Sequence, residues 1–164
     1  MFIVDCQQST PEWHEARLGK ATASKFQDIL SEPRAKKDKD EGKLSETANT
    51  YMMTLLAEIL TGQQVELFGR PLEWGTEQEE PARIYYEFIY DVEVKALGFV
   101  MPNEQSLIGV SPDGLVGDNM KFFMKRIYRD DVYIKNLSQK LDSFCATLIK
   151  RVAECQSFSN AKVA

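Results

Sequence analysis

The ten residues "GVSPDGLVGD", from Gly109 to Asp118, combine a turn signal with two short apolar stretches. Pro112, Asp113 and Gly114 form a Pro-Asp-Gly triplet, a composition that is typical of tight turns. An aspartate at the end of a short strand can also bind Mg²⁺, a cation that prefers oxygen ligands. The stretch therefore predicts either an ordinary turn or the aspartate of a metal site.

The segments on both sides of this turn predict a small sheet. "DVEVKALGFVM" (91–101) and "SLIGVSPDGLVGD" (106–118) alternate or run apolar, and the Pro and Asn between them mark a turn. We interpret them as two antiparallel strands. "KFFMKRIYRD" (121–130) predicts a third strand.

Helical periodicity predicts that helices make up most of the remaining chain. Apolar residues at helical spacing indicate helices over 10–32 (interrupted at Gly19), 45–61, 72–90 and 131–153. The segment 33–43 is polar and charged, and predicts a loop. We expect one α+β domain over residues 1–155, with helices first, a small sheet next and a closing helix, followed by a tail over 156–164.

Helix-end signals support two of these helices. Thr10 precedes Pro11, which is a favourable arrangement at a helix start, and we expect Gly19 to end that helix. Ser45 is a candidate cap for the helix that follows, and Gly62 is its expected end. These short-range signals place the helix boundaries more sharply than periodicity alone.

Composition excludes several kinds of protein and site. The chain has 164 residues, 43% of them hydrophobic, and no apolar run approaches the roughly 20 residues that span a bilayer. Its start lacks a signal-peptide pattern, so we expect a protein of the bacterial cytoplasm without membrane partners. One histidine argues against histidine-based catalysis. Three scattered cysteines argue against zinc sites and disulfides, and we interpret them as reduced thiols.

Charge restricts how nucleic acid could bind. The net charge is −5, so the field of the whole protein does not attract DNA. Basic residues concentrate in the segment 33–43 and in the last third of the chain. Any binding to DNA therefore requires a local site.

Two further segments carry candidate site residues. "EWGTEQEEPAR" (73–83) holds four glutamates, which predict either a solvated helix start or a second metal carboxylate. "QSTPEWHEARLGKATAS" (8–24) sets Arg17 seven residues before Ser24. An arginine fork and a hydroxyl near a helix start can bind a terminal phosphate together, although a surface arginine and a capping serine are each common.

In their order and wording, "WHEARLGKATAS", "WGTEQEEPAR" and "GVSPDGLVGD" resemble the phage lambda exonuclease/YqaJ-type viral recombinase nucleases. The resemblance runs from about Gln8 to Gly117. It implies a PD-(D/E)xK restriction-endonuclease-like fold and an exonuclease of DNA recombination. Such an enzyme degrades one strand of duplex DNA from its 5′ end with Mg²⁺ or Mn²⁺. It further implies a ring-shaped homo-oligomer, a trimer in the family, and a phage single-strand annealing protein as a partner.

The resemblance also implies roles for individual residues. Asp113 and Glu79 match the metal-binding carboxylates. Arg17, Ser24 and Ser111 match the residues that bind the 5′-phosphate of the DNA end. Arg34, in the basic segment, matches a residue near the strand end that is separated.

The family pattern breaks after Asp113, where a Glu-x-Lys motif should follow. Without a gap, Phe123 takes the place of the glutamate, and Lys125 retains the lysine as a catalytic residue. Alternatively, the chain has an internal deletion near residues 119–120 that removes the motif. We favour the deletion because the segment from Lys121 resembles the last strand and helix of the family. Glu93 and Lys95 have the right spacing but precede Asp113, and an exposed strand face is the simpler interpretation.

Three hypotheses therefore remain for the function, and the third is a purely structural relic of the fold. The first is an exonuclease whose activity is lost or much reduced. The second is a non-catalytic binding protein that caps 5′-phosphorylated duplex ends, assembles with an intact nuclease, or inhibits a host protein. Retained phosphate-binding residues favour end binding, whereas the negative net charge fits a protein target slightly better.

Overall fold

The computed structural model describes residues 1–64, 70–116 and 130–161, without the side chains of 70–78 and 159–161. Within these ranges the helices are α1 (Pro11–Arg17), α2 (Phe26–Leu30), α3 (Lys36–Asp40), α4 (Glu46–Thr61), α5 (Arg70–Tyr90) and α6 (Asp131–Ala161). The strands are β1 (Phe2–Val4), β2 (Ala21–Thr22), β3 (Val94–Lys95), β4 (Phe99–Met101), β5 (Ile108–Gly109) and β6 (Leu115–Val116). This mixture of helices and a small sheet confirms the predicted α+β class.

The hydrophobic core lies where α2, α4 and α6 pack together. Met52 of α4 and Phe144 and Leu148 of α6 are almost completely buried. The ring of Tyr51 stacks on Phe144, with 6.1 Å between the ring centroids. The apolar residues of both helices recur at helical spacing, so each helix presents one continuous stripe to this core.

The predicted helix ends are confirmed at α1 and α4. Thr10 Oγ1 accepts a hydrogen bond from the backbone N–H of Trp13, 3.4 Å away, and Ser45 Oγ accepts one from Ala48 at 3.0 Å. Both bonds satisfy donors that the first helical turn leaves unpaired. Gly62 closes α4 with a left-handed φ of 67°, a conformation that favours glycine.

The central pairing of the sheet is antiparallel, as predicted. Val100 and Val110 exchange backbone hydrogen bonds of 2.8 and 2.9 Å, and Val94 pairs with Val116 further along the same two segments. Residues 96–98 and 111–114 lie outside the strands between these pairs. The hairpin is therefore split in two, and the Pro-Asp-Gly turn lies at the break.

Two outer strands were missed by sequence reasoning. β1 pairs with β4 in antiparallel orientation, and β2 pairs with β5 in parallel orientation. We predicted a helix from Thr22, and this prediction was wrong at its start, because Ala21 and Thr22 instead pair with Ile108 and Gly109. A two-residue strand has no periodicity of its own, so only its tertiary partner defines it.

Two further boundaries also differ from the prediction. The loop predicted over 33–43 contains α3, a single helical turn that is flanked by ion pairs between Lys39 and Glu32 (3.0 Å) and between Lys43 and Asp38 (2.9 Å). The closing helix α6 continues to Ala161 instead of ending near residue 153, so most of the expected tail is helical.

Some predictions fall outside the described residues. The strand predicted over 121–130 lies outside them apart from its last residue, and the proposed deletion point near 119–120 lies outside them as well. Both stay predictions.

In the described part of the chain, no helix combines the length and apolar character needed to cross a lipid bilayer.

Candidate functional site

A pocket of about 1080 Å³ opens between α1, the β2 region and α4. Arg17 and Ser24, two of the predicted phosphate-binding residues, both line it. Gly19 connects the two elements that carry them, and its left-handed φ of 66° turns the chain from α1 into β2. The predicted pairing of these two residues in one site is thus present in the structure.

Ser111 joins this site from the distant turn segment. Arg17 NH1 donates a hydrogen bond to Ser111 Oγ across 3.1 Å. The indole Nε1 of Trp13 donates a second one to the same oxygen across 2.9 Å. The Arg17 guanidinium carbon also lies 4.0 Å from the centroid of the Trp13 ring, within the range of a cation–π contact. Arg17 therefore contacts Ser111 directly and shares a pocket with Ser24.

Arg17 has unused capacity to donate. Its Nε is buried and has no hydrogen-bond partner among the described residues. Burial lowers the pKa of the Arg17 guanidinium, while the nearby Tyr51 and Glu58 act in the opposite direction. Since an unpaired buried donor is costly, an anion that accepted from Arg17 would relieve this cost.

Glu58 helps to build the floor of the pocket. Its side chain is only 6% exposed, and Oε2 accepts a hydrogen bond from the backbone N–H of Gly19 at 2.9 Å. This contact ties the end of α1 to the last turn of α4. Glu58 therefore fixes the position from which Arg17 projects.

Ser24 sits in the short 3-10 turn that follows β2. Its Oγ is 3.2 Å from Thr22 Oγ1, and its side chain is exposed to the pocket. Lys25 beside it pairs with Asp28 at 3.2 Å, so that cation is already neutralised. Ser24 itself stays available to a ligand.

Lys20 was missed by sequence reasoning. It lines the same pocket, is half-buried, and forms no ion pair within the described residues. Burial lowers the pKa of its ammonium group. The spacing of Arg17 and Ser24 gave no reason to single out a lysine between them, because only the folded turn shows that it faces the pocket.

Asp113 lies in the exposed turn between β5 and β6, and Gln8 holds that turn in place. The side-chain Nε2 of Gln8 donates to the carbonyl of Leu97 at 3.0 Å and to the carbonyl of Pro112 at 2.9 Å. The amide thereby bridges the break in the hairpin. Gln8 carries no sequence signal for this role, since its partners are 89 and 104 residues away.

Replacing Gln8 by alanine is expected to lower the free energy of unfolding by about 1–3 kcal/mol, because two partly buried hydrogen bonds are lost. Urea denaturation would measure this change. Gln7→Ala is the matched control, since the neighbouring side chain is exposed. Equal effects of the two substitutions would contradict the bridging role of Gln8.

The carboxylates of Glu79 in α5 and Asp113 are close enough for their charges to interact. Partial burial raises the pKa of the Glu79 carboxyl, and the negative charge of Asp113 raises it further. Carboxylate oxygens are ligands that Mg²⁺ prefers. No group of three or more His, Cys, Asp or Glu side chains suitable for a metal occurs in the described residues.

The other predicted residues within the described part of the chain do not line the pocket. Arg34 is exposed in the segment before α3 and does not line the pocket. Lys125 lies outside the described residues. Glu93 and Lys95 are both exposed, as the simpler interpretation predicted, and Lys95 pairs across the sheet with Leu115.

A profile of the YqaJ-like viral recombinase domain matches residues 12–159. The chain belongs to the YqaJ-like viral recombinase family. The matched range spans Arg17, Ser24 and Ser111 as well as Glu79 and Asp113.

Solved structures support the assignment of this YqaJ-like protein. LHK-Exo in complex with dAMP is 26% identical, with a TM-score of 0.74 over 94% of this chain and 100% of that chain. A second structure, of the alkaline exonuclease LHK-Exo from Laribacter hongkongensis, is 25% identical, with a TM-score of 0.73 and the same coverage. A comparison with curated proteins finds no match. The exonuclease-like fold expected from the sequence is confirmed.

Proposed function

We propose that this protein binds the 5′-phosphorylated end of duplex DNA and cuts DNA poorly or not at all. The observation that carries the first half is that Arg17 lines one pocket with Ser24 and donates a hydrogen bond to Ser111 Oγ. The neighbouring alkaline exonuclease structures support DNA as the ligand class. The second half rests on the incomplete set of catalytic residues.

The chemistry of the pocket suits a terminal phosphate. A phosphate monoester carries close to two negative charges and several strong acceptor oxygens. Arg17 supplies a planar set of donors, Ser24 supplies a hydroxyl, and Lys20 supplies an ammonium group without a described carboxylate partner. Charge-assisted hydrogen bonds of this kind are among the strongest in proteins.

The placement of the hydrogen-bond donors, and not net charge, supplies the selectivity for a terminal phosphate. The pocket is lined by equal numbers of basic and acidic side chains, namely Arg17, Lys20 and Lys25 against Asp28, Glu46 and Glu58. The whole chain carries a net charge of −5. We therefore expect few phosphate contacts and a weak dependence of binding on salt. Each phosphate contact steepens the fall of the logarithm of the binding constant with the logarithm of the salt concentration by about 0.9 for duplex DNA.

The catalytic residues are incomplete in the sequence after Asp113. No glutamate occurs between Asp113 and Glu154, and no acidic residue in that interval is followed two positions later by lysine. A phosphodiester nuclease uses its metal to activate water and to stabilise the leaving oxygen. With Asp113 and Glu79 alone, we propose that Mg²⁺ or Mn²⁺ binds weakly and supports little cleavage.

Arg17→Ala tests the binding half of the proposal. We expect the substitution to weaken binding to a 5′-phosphorylated duplex by about 10- to 100-fold, because charged hydrogen bonds contribute about 1.5–3 kcal/mol. Binding to the same duplex with a 5′-hydroxyl should change little. Fluorescence anisotropy in Ca²⁺, a cation that is expected not to support cleavage, measures both constants.

Arg34→Ala is the comparison variant. Arg34 is exposed outside the pocket, so its loss should weaken binding to both kinds of end by the same factor. A wild-type protein that does not distinguish the two ends would contradict the proposed end binding. It would instead favour a protein target.

The second candidate function is co-assembly with another copy or with an intact relative. The last two turns of α5 expose large apolar side chains, including Ile84 at 57%, Tyr85 at 68% and Phe88 at 85%. Exposed apolar clusters of this kind mark interaction surfaces. Phe88→Glu should lower the mass measured by light scattering if the wild type is oligomeric. An unchanged mass would contradict this role of α5.

A further inference from the structure

We infer that Trp13 is a positioning residue that sets the Ser111 hydroxyl as a donor to the terminal phosphate. The inference rests on the proposed end-binding function and adds a determinant of its specificity. It follows from the number of hydrogen bonds that the Ser111 hydroxyl group can form.

A serine hydroxyl has two acceptor lone pairs and one hydrogen. Trp13 Nε1–H and an Arg17 NH1 hydrogen point at Ser111 Oγ from 2.9 and 3.1 Å, and they occupy both lone pairs. Indole and guanidinium nitrogens only donate, so no tautomer or rotation can reverse the direction of either bond. Ser111 is left with its own hydrogen as its single unused capacity.

That hydrogen has no acceptor among the described residues. Ser111 Oγ forms hydrogen bonds there only with Trp13 and Arg17. Any ligand that contacts Ser111 must therefore accept a hydrogen bond. Phosphate oxygens are charged acceptors and bind such donors more strongly than a neutral 5′-hydroxyl does.

Trp13 acts on the second phosphate-binding side chain as well. The centroid of its ring lies 4.0 Å from the Arg17 guanidinium carbon, so the ring packs against one face of the guanidinium group. The indole is itself held in place by two contacts. The Trp13 backbone N–H donates a hydrogen bond to Thr10 Oγ1, and the ring packs edge-to-face against His14 with 4.9 Å between the ring centroids. One side chain thus orients both Arg17 and Ser111.

The test separates the indole N–H from the indole ring. β-(3-Benzothienyl)alanine at position 13 replaces the N–H by sulfur and keeps the shape of the ring and its stacking on Arg17. We expect the preference for 5′-phosphate over 5′-hydroxyl duplex ends to fall about tenfold, the effect of one hydrogen bond to a charged ligand. Trp13→Phe, which also shortens the ring, should lower the preference at least as far.

A double-mutant cycle shows whether Trp13 acts through Ser111. In a Ser111→Ala background, the benzothienyl substitution should change the preference less than about twofold. Equal weakening of binding to both kinds of end would show a merely structural role and overturn the inference. An unchanged preference in the sulfur variant would overturn it as well, provided that Arg17→Ala still abolishes the preference. A wild-type protein without any preference would refute the end-binding proposal itself, and the inference with it.

Discussion

A 5′-phosphorylated duplex in Mg²⁺ is expected to lose nucleotides at least about a thousand-fold more slowly to this protein than to LHK-Exo, because breaking up a catalytic unit costs this much or more. The charge of Asp113 acts on Glu79, but the described residues provide no group of three His, Cys, Asp or Glu side chains suitable for a metal. The sequence after Asp113 has no acidic residue two positions before a lysine. Release of labelled nucleotides under single-turnover conditions measures the rate.

Asp113→Ala and Phe123→Glu are the informative variants for this prediction. If the protein is already inactive, Asp113→Ala should lower the rate no further. Phe123→Glu recreates Glu-x-Lys with Lys125, and it should restore no activity if the motif was lost by deletion. Restored Mg²⁺-dependent release would favour the ungapped alignment, in which Lys125 is the catalytic lysine.

Replacing Phe144 by alanine is expected to lower the free energy of unfolding by about 3–5 kcal/mol, as for other large aromatic side chains in a packed core. Phe144 is 1% exposed and lies in the cluster where α2, α4 and α6 meet. Its loss would leave a cavity and remove the stacking partner of Tyr51, a residue that also lines the pocket. Urea denaturation gives the free energy directly.

Phe158→Ala is the matched control on the same helix. Phe158 is 72% exposed, so its truncation should change the free energy of unfolding by less than about 0.5 kcal/mol. Similar losses for the two variants would contradict the placement of the core. A second consequence is that Phe144→Ala should weaken end binding, because Tyr51 would lose its support.

Local signals in the sequence predicted the helix ends that depend on neighbouring residues. The start of α1 at Thr10 and the ends of α4 at Ser45 and Gly62 follow from capping residues and left-handed glycine, so they were predicted correctly. β1 and β2 were missed because they have two or three residues each and exist only through pairing with β4 and β5. Short strands of this kind are defined by distant partners.

The residues of the candidate site also differ in whether the sequence predicts them. The family resemblance predicted Arg17, Ser24 and Ser111 as phosphate-binding residues, and this role stays a prediction. In the structure Arg17 lines one pocket with Ser24 and donates a hydrogen bond to Ser111. Trp13 and Gln8 were not predicted, because their roles depend on partners 98 and at least 89 residues away. The residues proposed to bind the phosphate carried a sequence signature, whereas the contacts of Trp13 and Gln8 became visible only in the fold.

Binding and cleavage measured on one duplex test the central proposal most directly. The protein is titrated into 5′-phosphorylated and 5′-hydroxyl duplexes in Mg²⁺, with anisotropy reporting binding and a labelled terminal nucleotide reporting release. We predict tighter binding to the phosphorylated end, abolished by Arg17→Ala, with no release from either duplex. Equal binding to both ends, or release that requires Mg²⁺ and disappears in Asp113→Ala, would contradict the proposal.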